Sequence, residues 1–120
     1  CNSNTSKYTI YKRFYGFNRW AFEKQKTIHF YPEGSLWPYH NKIRHFKNGA
    51  FDFAVRNNVP VVPMVFKFNK GKKINNLIKT RTTITLVVQK PIYPNKLLEK
   101  KESILDLKER VYKSMCDELR

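Results

Sequence analysis

The stretch Phe30–Met64, FYPEGSLWPYHNKIRHFKNGAFDFAVRNNVPVVPM, decides the fold. It begins where Thr27–Tyr31 (TIHFY), β-branched and aromatic, is stopped by Pro32 and Gly34, which reads as a strand running into a turn. Residues 35–45 mix polar and aromatic side chains and read as a loop. From Phe46 to Asn57 the spacing predicts a helix. Phe46, Ala50, Phe53, Ala54 and Asn57 recur at helical intervals, and Lys47 and Arg56 can meet water. Asn57-Asn58 supplies a stop. Val59–Phe68, VPVVPMVFKF, reads as a buried apolar strand, with Pro60 and Pro63 placing its first half at a sheet end or edge.

Upstream, residues 1–7 (CNSNTSK) are polar and expected to be loose. Residues 8–26 read as a strand-like start, a break at Gly16 and a short helix over Phe17–Lys24. Downstream, NKGKKINN is a polar turn region and Thr82–Val88 (TTITLVV) is the clearest strand. Pro91 and Pro94 flank an extended connection. In the last segment Ile104, Leu107, Val111, Met115 and Leu119 form the apolar stripe of an amphipathic helix, with Ser103 as its expected cap. Strands alternating with helices predict an α/β fold, a mixed sheet flanked by helices. Its length suits one domain over residues 1–120, with the C-terminal helical segment at 95–120.

Charge limits the partners. Lys and Arg number 24 against 9 Asp and Glu, a formal net charge of +15. A folded chain this basic repels itself, which favours an anionic partner: nucleic acid, an anionic membrane surface or a phosphorylated substrate. A lysine-rich compositional habit explains the bulk charge equally well. Nine Phe, seven Tyr and two Trp argue against disorder. Cys1 and Cys116 lie at opposite ends with no metal-type or C-x-x-C partner, which fits a reducing compartment. No run approaches the roughly 20 apolar residues of a membrane span. His29, His40 and His45 lack acidic or thiol companions at metal-site spacing, so no metal is expected.

The quoted stretch has the makings of an anion site. Gly34 permits a backbone geometry and a close approach that other residues resist. A helix opening near Phe46 offers unpaired N–H groups and a positive dipole end, with Arg44 and Lys47 beside it. Glu33 follows a strand, where α/β proteins place ligand-binding groups, and a carboxylate there can accept from a hydroxylated substrate.

These blocks resemble the glycerol-phosphate and lysophosphatidic acid acyltransferase family. Tyr31-Pro32-Glu33-Gly34-Ser35 is similar to the family's Phe-Pro-Glu-Gly-Thr/Ser block. Phe46-Lys47-Asn48-Gly49-Ala50-Phe51 is similar to its Phe-Lys-x-Gly-Ala segment, Val59-Pro60-Val61-Val62-Pro63-Met64 to its Val-Pro-x-x-Pro block, and Lys90-Pro91-Ile92 to its Gly-x-Pro-Ile strand end. The resemblance covers residues 13–94, and three blocks in order at fitting spacing are far more specific than one. It implies acyl transfer from a thioester, on coenzyme A or acyl carrier protein, to the free hydroxyl of a lysophospholipid or glycerol phosphate. It implies substrate binding by Pro32, Glu33, Gly34 and Ser35, with Arg44 and Lys47 nearby and Arg13, or else Arg19, for the arginine of an upstream block. No cofactor is implied beyond the acyl donor. The implied partners are an anionic lipid substrate and a membrane surface, at its cytoplasmic face.

The chain departs from the family pattern in two places. In the family the base is a histidine with aspartate five positions on. Here those positions after His29, His40 and His45 hold Gly34, His45 and Ala50, so no catalytic residue is expected in these 120 residues. The expectation is a partial acyltransferase domain that begins after the histidine motif. Leu36 also stands where the family usually has arginine, and Arg44 or Lys47 can supply that charge. Two other readings stand beside this one. One is a catalytically dead, lipid-binding relative. The other is a basic nucleic-acid-binding module, which the scattered cations and lack of a recognition motif disfavour. Trp20, Trp37, Tyr39 and Phe46 read as core or rim before membrane anchors. The exception is the loop Trp37-Pro38-Tyr39, whose aromatic and basic surroundings suit a lipid headgroup interface.

Overall fold

The computed structural model describes residues 3–34, 42–71, 73–74, 78–79 and 81–120. The chain divides into two compact units, Cys1–Phe30 and Tyr31–Arg120.

The first unit is built on α1, Ser3–Glu23. This corrects the expected strand-like start and break at Gly16. The helix runs through Gly16, around which an added Cβ would meet nothing within 4 Å. A single helical glycine costs about 1 kcal/mol relative to alanine, too little to divide a helix of 21 residues. Its end is a Schellman turn. Gln25 takes a left-handed φ of 53°. The Gln25 N–H donates to Phe22 O at 2.9 Å, and the Lys26 N–H donates to Ala21 O at 2.9 Å. Phe14 packs edge-on against Phe30 at 5.9 Å.

Residues 27–31 form no strand, although TIHFY has the composition of one. Strand propensity is realised only against a neighbouring strand. None pairs with this segment among the described residues.

The second unit holds α2 (Gly49–Asn57), β1 (Met64–Asn69), the short β2 (Lys73–Ile74) and β3 (Ile78–Lys79), β4 (Thr83–Val88) and α3 (Lys100–Leu119). The fold class is α/β, with helices and two-stranded antiparallel sheets. In the β1–β4 pair Met64 faces Val88 and Asn69 faces Thr83. Beyond it Val61 and Ile92 exchange two backbone hydrogen bonds, at 2.9 and 2.8 Å. Pro60 and Pro63 carry no N–H, so the VPVVP segment pairs only intermittently before β1 begins. The expected burial of this strand is partial. Val65 is buried, whereas Met64 and Phe66 are exposed together with Ile84, Leu86 and Val88 on the facing strand.

The core joins α2 to α3. Phe46, Phe51, Ala54, Leu107 and Val111 form a buried cluster, ringed by Ile43, Val59, Val61, Ile92, Ile104 and Met115. Leu107 and Val111 come from the predicted stripe. The helix starts at Lys100, three residues before the expected cap, so Ser103 is inside it and buried, its hydroxyl donating to Asn95 O at 3.0 Å. Glu99 takes the N-cap position without a side-chain bond. Asn58 ends α2 in the left-handed conformation, passing its own N–H to Val55 O and that of Val59 to Ala54 O.

Candidate functional site

The Pro32-Glu33-Gly34 turn closes on itself through the Gly34 N–H, which donates to Tyr31 O at 2.9 Å. Gly34 sits at φ +74°, a conformation that side chains with a Cβ adopt only with strain. Two hydrogen bonds fasten this turn to the segment before α2. The Lys47 N–H donates to Pro32 O at 2.7 Å. The Arg44 N–H donates to Glu33 Oε2 at 2.9 Å. With the N–H groups of Arg44 and Lys47 held by the turn, the helix opens at Gly49 instead of Phe46.

The Lys47 side chain lies across the glycine. A Cβ built on Gly34 would stand 2.7 Å from Lys47 Nζ. The missing side chain is what lets the ammonium settle over the turn. Among the described residues no hydrogen bond or ion pair takes that ammonium, and Lys47 is exposed.

Phe46 anchors the segment from beneath. It is buried, stacks on Phe51 with centroids 5.9 Å apart, and meets Tyr112 of α3 edge-on at 5.1 Å. The Tyr112 hydroxyl reaches Ile43 O at 3.5 Å. Its phenol is held above the ordinary value of 10.0, first by a hydrogen bond to the Cys116 side chain and by that group's charge, then by burial and the charge of Glu33. The start of α2 has no side-chain cap, since the Asn48 amide oxygen instead accepts from Lys108 Nζ at 2.9 Å. Uncapped first-turn N–H groups suit an anion.

The structure thus brings together Pro32, Glu33, Gly34, Arg44 and Lys47. Ser35 lies outside the described residues, as do Leu36, Trp37-Pro38-Tyr39 and His40. Arg13 lies on α1, in the first unit. Sequence reasoning missed Tyr112 and Lys108, which reach this neighbourhood only through the packing of α3 on α2. A separate open groove of about 560 Å³ is lined by Arg56, Asn58, Lys96, Lys100 and Ser103 among others. Its cations are partly engaged, with Asp52 2.9 Å from Arg56 and 3.9 Å from Lys100.

Residues 11–67 match the model of the acyltransferase family. The match takes in most of α1, the turn, the segment 44–47, α2 and the start of β1, and it supports a transferase that moves acyl groups. No curated protein and no solved structure matches the chain. No described helix is long and apolar enough to cross a membrane.

Proposed function

We propose that this chain holds the glycerol-phosphate-binding part of an enzyme that acylates lysophosphatidate, a step of phospholipid synthesis. The lysolipid's free hydroxyl attacks the carbonyl of an acyl thioester. An ester C–O bond forms, the thioester C–S bond breaks, and the hydroxyl proton ends on the released thiol of coenzyme A or acyl carrier protein. The base is a histidine outside these residues. Here Lys47 and the first-turn N–H groups of α2 receive the phosphate, and Glu33 orients the segment that carries them.

One observation carries the reading. The turn at 32–34 and the basic segment at 44–47 are tied together by two hydrogen bonds, with Lys47 Nζ lying over Gly34. A cation held over a Cβ-free backbone beside a helix start is a phosphate-type site. The substrate places the enzyme at a membrane surface, at its cytoplasmic face.

The test is an acylation assay on the protein expressed from its complete reading frame. It is expected to convert lysophosphatidate to phosphatidate, and Glu33→Ala and Lys47→Ala are each expected to cut kcat/KM by about tenfold to a hundredfold. Full activity in both variants removes the site from the reaction.

A further inference from the structure

α1 and the turn after it carry a row of side chains that the acyl-transfer reading leaves unused. Arg13, Phe17, Trp20 and Lys24 are spaced i, i+4, i+7 and i+11, which puts them along one side of a helix. Lys24 prolongs the row beyond Glu23, its N–H donating to Trp20 O at 3.1 Å. Asn18 and Ala21 point elsewhere and are buried. Phe17 and Trp20 stand 65% and 52% exposed, yet they pack on each other at 5.9 Å. Two large rings in water, bracketed by cations, are costly to leave uncovered.

The charge around them has one sign. Lys12, Arg13, Arg19, Lys24 and Lys26 meet a single acid, Glu23, which already pairs with Arg19 at 3.2 Å. A helix side of aromatic rings with flanking Lys and Arg has the composition of an interfacial helix. The rings sink to the boundary between headgroups and acyl chains while the cations meet anionic headgroups. Single-stranded nucleic acid would need splayed rings on which to stack bases. Here the two rings lean on each other, with planes 34° apart and centroids 5.9 Å apart.

We infer that the Arg13–Phe17–Trp20–Lys24 side of α1 is a docking surface for an anionic phospholipid bilayer. The inference deepens the lysolipid reading and rests on it for why a bilayer partner is needed.

The experiment uses the full chain and vesicles of phosphatidylcholine with and without phosphatidylserine, free of lysophosphatidate and glycerol phosphate. A missing phosphate site therefore cannot alter its outcome. Within these 120 residues Trp37→Phe leaves Trp20 as the sole indole. Trp20 emission is expected to shift to the blue on phosphatidylserine vesicles and to be quenched by brominated acyl chains. Sedimentation with these vesicles should fall about tenfold or more in Phe17→Ser/Trp20→Ser, and also at high salt. An unshifted, unquenched Trp20 overturns the inference, and this readout needs no change in the docking row. Equal sedimentation by the double variant overturns it too, as does tighter binding to a single-stranded oligonucleotide than to the anionic vesicles at the same salt.

Discussion

The backbone N–H of Arg44 donates a 2.9 Å hydrogen bond to the carboxylate of Glu33, eleven residues earlier in the chain. This bond makes Glu33 a fastener for the segment that ends in Lys47. Glu33→Ala should remove it at small cost to stability, about 0.5–1.5 kcal/mol, because both groups can reach water. Glu33→Gln keeps an acceptor oxygen and should retain most of the stability. Denaturant midpoints for the two variants, set beside their affinity for sn-glycerol 3-phosphate, check this. Affinity should fall further than stability in Glu33→Ala.

Glycine to alanine should have opposite signs at two positions. At Gly16, inside α1, a methyl group meets nothing within 4 Å, so Gly16→Ala should stabilise that helix by about 0.5–1 kcal/mol. At Gly34 the φ of +74° strains any residue with a Cβ, and the new methyl would lie 2.7 Å from Lys47 Nζ. Gly34→Ala should cost about 1 kcal/mol or more. In a Lys47→Ala background the contact disappears and only the backbone part remains. Chemical denaturation of the four proteins separates the two contributions.

Lys67 of β1 and Glu118 of α3 form an ion pair at 2.6 Å. The hydrogen bond and charge of Lys67 hold the Glu118 carboxyl below its ordinary value of 4.5. A lowered carboxyl adds stability that is present above the unfolded-state value and lost as pH falls through the folded one. The wild type should therefore exceed Glu118→Gln in Tm near neutral pH, and the difference should shrink below pH 4.5. It should be small, because the pair is half-buried and still reaches water, and weaker in salt.

Tyr112 titrates in the opposite sense. Its phenol is raised above 10.0, chiefly by the Cys116 side chain, so the folded state holds the proton more tightly than the unfolded one. The stability this adds is complete below the unfolded value and is lost as pH climbs through the raised one. Tyr112→Phe should keep the ring contact with Phe46 and lose this alkaline dependence. Phenolate absorbance should show Tyr112 ionising at lower pH in Cys116→Ala than in the wild type.

Much of the second unit was legible in the sequence because its signals are local. Asn57-Asn58 ended a helix at Asn57, TTITLVV became a strand, and Leu107 and Val111 turned inward from their stripe. α1 was misread because Gly16 resembles a break, while its true end is a left-handed Gln25 with no glycine or asparagine to announce it. Phe51 falls outside the stripe counted from Phe46, because the helix starts only at Gly49 and buries Phe51 together with Phe53 and Ala54. The site's turn and cations could be named from their spacing. Tyr112 could not, since it reaches Ile43 only after α3 has packed, 69 residues away.

The central claim is that phosphate settles between the 32–34 turn and the start of α2. Amide NMR of this chain during titration with sn-glycerol 3-phosphate tests it most directly. Saturable shifts are predicted at Glu33, Gly34, Arg44, Lys47 and Gly49, abolished by Lys47→Ala. Shifts confined to the groove of Arg56, Lys96 and Lys100, or no saturable shift at all, would contradict the account.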